Sequence, residues 1–264
     1  MTPELIQKSA EALSLARRGG PATNLPPEEF QPSTVEEGYD VQEVLHQILS
    51  DDGWGALVGH KIGCTTQVMQ QYLSIDHPCA GEVFESSVHH GSAELPLSQF
   101  HRIGVECEIA ARLSKPLGDI GTPYTRENVR GAVGALMAGI ELVDDRYVNY
   151  PSFPAPTLIA DDFFNVGVVL GEEVEDWQSL DLENIEGAMI IDGAEVGRGR
   201  GADILGHPME ALAWLANHRI ARGMPLEAGT FIMLGSVVKT VHFDKAADVT
   251  IRFEGLGEAS VQFT

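Results

Sequence analysis

Cysteine is scarce in this 264-residue chain: Cys64, Cys79 and Cys107 are odd in number, far apart, and without a CxxC spacing. That excludes a disulfide framework and a zinc knuckle, and the expected compartment is a reducing cytoplasm. Positive charge is also short. Seventeen Lys and Arg stand against 39 Asp and Glu, for a formal charge of −22. Such a surface repels phosphate backbones and acidic lipid, and no basic cluster offsets it. Neither nucleic acid nor membrane is therefore expected as a partner. Long apolar runs are missing too. The longest, 131–143, is broken by Gly and Glu and falls short of the ~20 residues of a membrane helix. The first thirty residues hold no apolar h-region, so no secretion signal is expected.

What is present is a chain 44% hydrophobic, enough for a real core. From His101 to Leu113, Ile103, Val105, Cys107 and Ile109 alternate with Glu106 and Glu108. This is the period-two pattern of a strand with one buried face. It puts the two carboxylates side by side, about 6.6–7 Å apart at Cα. Their repulsion calls for a positive charge between them, and a hard oxygen-seeking cation such as Mg²⁺ or Mn²⁺ would supply it. For an isolated Glu-x-Glu a solvent-facing strand is the better account. Glu141, in GIELVDDRY, and Lys61, in GHKIG, change that weighting.

Residues 1–54 read as a small helical region. Thr2-Pro3-Glu4 opens one helix, with Leu5, Ile6, Leu13 and Ala16 apolar and Gly19-Gly20 as its stop. After the proline-rich loop 21–32, Ser33 and Glu36 form a capping box for a second helix carrying Val41, Val44, Leu45, Ile48 and Leu49. Residues 55–264 read as the catalytic domain. A strand over 56–63 carries Lys61, and a short helix covers 65–73. Thr125 caps a helix in which Val129, Val133, Leu136, Met137 and Ile140 lead to Glu141. A hairpin turns at Asp192-Gly193, a helix runs 208–222 to Gly223, and strands cover 230–234, 237–243, 249–253 and 260–263. Without βα alternation, this is α+β with a largely antiparallel or mixed sheet.

Other candidates favour plain readings. Gly197-Arg198-Gly199-Arg200-Gly201 lacks both nucleotide-loop spacings and reads as a flexible loop, with Arg198 or Arg200 available to a carboxylate. His89-His90 read as surface loop, and His207 as a helix N-terminal feature. The cysteines read as small buried hydrophobes, with Cys79 held open. Taken alone, Lys61 is a snorkelling strand lysine. Turned into a cavity, it would have its pKa lowered toward acid/base values by burial and a nearby cation.

The ordered blocks GHKIG, SIDHPCAGEVF, GVECEIA, GIELVDDR, LIADDFFNVGVVLG, GHPMEALAWLANHRIARG and LEAGTFIMLGS resemble the 2-keto-4-pentenoate hydratases. With the 4-oxalocrotonate decarboxylases, these belong to the fumarylacetoacetate hydrolase superfamily. The resemblance implies a mixed β-roll behind the helical region, and a Mg²⁺ or Mn²⁺ site on Glu106, Glu108 and Glu141. It implies Lys61 as the active-site lysine and a homo-oligomer acting on a small 2-oxo acid. Two positions depart from it. Cys79 stands where the hydratases have a proton-transferring aspartate. Phe163 and Phe164 stand where small and hydroxyl residues are common, and are expected to narrow the substrate pocket. Asp144 and Arg146 match as supporting partners, with Arg146 at that pocket. The expected activity is metal-dependent hydration of an enolised 2-oxo acid such as 2-hydroxypenta-2,4-dienoate in aromatic catabolism. The alternatives are a 4-oxalocrotonate-type decarboxylase, an acylpyruvate hydrolase, and a non-catalytic 2-oxo acid binding protein.

Overall fold

The computed structural model describes residues 1–18, 26–148 and 153–264. Thr2 accepts the Leu5 N–H and caps α1 (Pro3–Arg17). Its expected stop at Gly19-Gly20 and the first part of the proline-rich loop lie outside the described residues. The second helix, α2 (Val35–Leu49), begins one residue later than the Ser33–Glu36 box implies. Thr34 accepts the Glu37 N–H, and Glu37 reaches back to the Ser33 N–H and hydroxyl. Glu37, not Glu36, is the acid three residues past the cap, but it closes on Ser33, the residue before the cap, so the box is only half formed.

The remaining elements are β1 (Leu57–Gly63), α3 (Gln67–Leu73), β2 (Cys79–Phe84), β3 (Val88–His90), β4 (Ser92–Leu95) and β5 (Ile103–Leu113). Then come α4 (Arg126–Val129), β6 (Val133–Asp144), α5 (Ala155–Ala160), β7 (Asn165–Leu170), β8 (Glu186–Ile191) and β9 (Ala194–Arg200). The chain finishes with α6 (Pro208–Ala221), β10 (Phe231–His242), β11 (Ala247–Phe253) and β12 (Gly257–Phe263). Seven strands form a sheet in the order β2-β1-β10-β5-β6-β7-β3, and five form a second in the order β4-β12-β11-β8-β9. Most pairs are antiparallel, but β1–β10, β3–β7 and β4–β12 are parallel. The result is the mixed α+β roll that the sequence pattern and the resemblance imply.

Four segments differ from the sequence reading. The helix expected from Thr125 to Ile140 stops after one turn, and residues 133–144 form β6. Both faces of β6 are buried, so its apolar run carries no polar alternation and cannot be told by period from a buried helix. The two strands expected at 230–234 and 237–243 are one strand, bent by register shifts around Gly235 and Ser236. The arginine-rich loop is the edge strand β9, and His89-His90 belong to β3.

Register then sorts the side chains. Val105, Cys107 and Ile109 of β5, with Leu136, Ala138, Ile140 and Leu142 of β6, join the core against β11, β12 and α6. On the other face, Ala110, Met137, Val83, Val168, Leu170, Phe231 and Met233 form a small apolar floor inside the curled sheet. The pairs Glu106–Glu141 and Glu108–Gly139 continue that inner face beyond Ala110–Met137. The helices α1 and α2 pack with Phe84, Val143, Tyr147, Leu158 and Phe164 in a separate cluster.

Candidate active site

Glu106, Glu108 and Glu141 come together where the inner face of the roll turns from apolar to acidic. One oxygen from each lies within 4.8 Å of the others. Glu106 and Glu141 are direct cross-strand partners, an arrangement that costs stability for like charges. Each carboxylate has one oxygen fixed. The Gly235 N–H donates to Glu108 Oε2 at 2.9 Å, Asn165 Nδ2 to Glu141 Oε1 at 3.0 Å, and the Thr240 hydroxyl to Glu106 Oε1. Glu108 Oε1 and Glu141 Oε2 are buried with no partner among the described residues. Burial, then the charges of Glu141 and Glu106, push the Glu108 carboxyl well above the usual range; burial also raises Glu141. Two orphaned carboxylate oxygens aimed into an all-oxygen site fit a hard divalent cation. Gly235 makes its donation from φ +119°, and a Cβ there would stand 2.5 Å from the Thr65 hydroxyl, so only glycine serves.

Lys61, on β1, reaches the same hollow: its Nζ lies 3.1 Å from Glu141 Oε1, and the residue is 3% exposed. Strands β10 and β5 separate β1 from β6, so a flat sheet would hold the two backbones about 14 Å apart. The curl brings the side chains together. Gly81 on β2 makes the passage, since a Cβ there would meet the Lys61 stem at 2.9 Å and Asp162 Oδ1 at 3.1 Å. The lowering expected for Lys61 rests on burial together with a cation. Of the protein's own groups, burial pulls the pKa down, while Glu141, Glu106 and Glu108 raise it above the ordinary value.

The two phenylalanines part company. Asp162, Phe163 and Phe164 all have positive φ, at 48°, 49° and 69°, three consecutive left-handed residues where each costs about 1–2 kcal/mol. This reversal sends the Phe163 ring over Lys61 Nζ, 5.6 Å from the ring centre. Phe164 goes the other way and packs on Tyr147 in the helical layer. Cys79 is fully buried, and its thiol shares a hydrogen bond with Cys64 that pushes Cys79 up and Cys64 down. The buried thiol lies beside Lys61 at the edge of the site.

The turn is held by a buried ionic cluster that sequence reasoning missed. Asp161 accepts from Arg17 Nε at 2.6 Å, Arg146 Nη2 at 2.7 Å and the Tyr147 hydroxyl at 2.9 Å. Asp162 accepts from His46, from Arg17 Nη2 and from the Glu82 N–H. Arg146 is thus committed to Asp161, although its Nε and Nη1 have no partner among the described residues. The one available signal was two adjacent acids inside the apolar run LIADDFFNVG, which demand buried cations. Asp144 accepts the His101 and Arg102 N–H groups, a structural bond. Arg198 is exposed and paired with Glu186 and Glu195, and His207 caps α6 as expected.

A curled mixed sheet carrying three convergent carboxylates and a buried lysine defines a class. The chain belongs to the fumarylacetoacetate (FAA) hydrolase C-terminal family, whose pattern matches residues 78–264. It is 34% identical over 261 residues to the 2-hydroxyhexa-2,4-dienoate hydratase of Comamonas testosteroni, covering 98% of this chain and 96% of that one. It is 32% identical to the 2-oxo-hept-4-ene-1,7-dioate hydratase of Escherichia coli, with 87% of each covered. The structure of the 4-oxalocrotonate decarboxylase from Pseudomonas putida G7, complexed with magnesium and adipate, superposes with a TM-score of 0.92. There the identity is 26%, over 100% of this chain and 99% of the other. Among the described residues, no helix is long and apolar enough to cross a membrane.

Proposed function

We propose that this chain is a divalent-metal-dependent hydro-lyase acting on an enolised 2-oxo acid such as 2-hydroxypenta-2,4-dienoate. The observation that carries the reading is the pair of orphaned buried oxygens, Glu108 Oε1 and Glu141 Oε2, beside Glu106 and Lys61. These three carboxylates would hold Mg²⁺ or Mn²⁺, and the bound cation would supply positive charge for the developing enolate of a chelating 2-oxo acid. Lys61 reaches into the same hollow and is the group placed to pass a proton to substrate carbon when the dienol ketonises. The Phe163 ring excludes water from the Lys61 side and faces an apolar substrate tail. The proposed surroundings are a cytoplasm, a homo-oligomeric assembly and aromatic catabolism, with residues 1–54 as a helical region on a catalytic roll of 55–264.

Decarboxylation is the second reading. It needs no water-activating carboxylate, and Cys79 offers none; the decarboxylase superposition agrees. Against it, Arg198 is bound to surface carboxylates and gives no cation for a second acid group.

Thermal unfolding with Mg²⁺ and oxalate tests the shared platform, since a ligand of the folded state raises stability by mass action. A metal-dependent rise is expected, followed by conversion of the dienol to a 4-hydroxy-2-oxo acid. No shift with any divalent ion would sink the proposal, and carbon dioxide release from 4-oxalocrotonate without hydration would select the second reading.

A further inference from the structure

The segment Asp161–Asn165 touches the site with one side and α1 with the other. On the site side, Asn165 Nδ2 fixes Glu141 Oε1 and the Phe163 ring lies over Lys61 Nζ. On the far side a single residue spans the whole segment. Arg17 Nε donates to Asp161 Oδ1 at 2.6 Å, and its Nη2 to the Asp161 carbonyl at 2.8 Å and Asp162 Oδ2 at 3.1 Å. Its Nη1 donates to the Asn165 carbonyl at 3.2 Å. The backbone between these anchors is left-handed at three residues in a row, none of them glycine. Such a backbone persists only where its surroundings over-determine it. The guanidinium is buried, its side chain 2% exposed, so the constraint is not diluted by solvent.

We propose that Arg17 is a positioning residue for the metal carboxylates: it locks the left-handed turn whose Asn165 aims Glu141 and whose Phe163 covers Lys61. The inference rests on the metal-site reading above and adds to it a role for the first helix of the chain. Arg17 touches neither substrate nor ligand atoms. Its action runs through the Asn165 carbonyl to the Asn165 amide, and from there to the orphaned Oε2 of Glu141. Groups that orient a metal ligand in this way govern affinity, and their loss costs roughly 10–100-fold.

The test is Mn²⁺ affinity of the full chain by titration calorimetry, in wild type, Arg17→Lys, Arg17→Met, Asn165→Ala and the double variant Arg17→Met/Asn165→Ala. Folding of each is checked by circular dichroism. Arg17→Met and Asn165→Ala should each weaken Mn²⁺ at least tenfold, and the double variant should be no weaker than the worse single one, because both remove the same constraint. Arg17→Lys keeps the charge but not the four-point span, and should fold with an intermediate loss. It also carries the test if Arg17→Met does not fold. Wild-type affinity in a folded Arg17→Lys or Arg17→Met, or additive losses in the double variant, overturns the inference. A wild type that binds no divalent ion overturns the metal-site reading and this inference with it.

Discussion

Two groups of buried carboxylates lie on either side of one short turn, and they handle their charge in opposite ways. Around Asp161 and Asp162 every carboxylate oxygen is engaged. Burial tends to raise both carboxyls, but Arg146 and Arg17 on Asp161, and His46 and Arg17 on Asp162, bring them below the ordinary value. Around Glu108 and Glu141 one oxygen of each stands without a partner among the described residues, and both carboxyls are raised. The first cluster is electrostatically complete and holds structure. The second leaves buried oxygens unpaired among the described residues, the arrangement that the proposed cation would complete.

The largest effect should come from the incomplete cluster. Glu141→Ala should abolish the Mg²⁺-dependent rise in melting temperature and lower turnover on the order of 10²–10³-fold or more, while leaving the metal-free protein folded. Retention of the metal-dependent rise would erase the contrast. In the complete cluster, Asp161→Asn strands Arg146 and leaves Arg17 with the carboxylate of Asp162 alone, and should cost about 3–5 kcal/mol of unfolding free energy in urea, with no gain from added metal. Because the folded values of Asp161 and Asp162 are depressed, their stabilisation is present above the ordinary 3.8 and lost as pH falls through the folded values.

Phe163→Ala should change selectivity more than folding. Opening the Lys61 side should shift relative kcat/KM toward longer substrate tails by roughly tenfold, measured with a series of dienols; an unchanged ranking would place the tail elsewhere. The smallest effect concerns His46. Burial lowers its pKa, but the charge and hydrogen bond of Asp162 together with the charge of Glu82 outweigh it, leaving it above 6.5. Its stabilisation is therefore complete below 6.5 and lost as pH rises through the folded value. His46→Gln should flatten that alkaline decline in denaturant midpoint.

The incomplete cluster was the more legible of the two. Glu106 and Glu108 declare a strand by their alternation, and Lys61 and Glu141 stand in short local motifs. The complete cluster was not readable, because Arg17, His46 and Asp161 are joined only by tertiary packing. Arg17 does fall on the stripe of Ala10 and Leu13 that α1 buries, but as the last residue of the helix it reads equally well as an ordinary cation at the C-terminal end of the dipole. The missing of β6 has a different cause. Buried on both faces, the stretch 135–140 offers no polar residue to set a period, so strand and helix predict the same letters. The opposite fates of Phe163 and Phe164 depend on the left-handed backbone at 162–164, which no local propensity favours for these residue types.

The parallel pairing of β1 with β10 has a consequence for how the molecule is made. In the sheet β10 lies between β1 and β5, yet it is synthesised long after both. A nascent chain that has emerged only as far as α6 therefore carries two unsatisfied strand edges, each open to wrong partners. Insertion of the late strand seals both edges at once and brings the lysine of one to the acids of the other. The approach of Lys61 to the acids therefore waits on β10, and a chain cut before that strand should aggregate more readily than the full one.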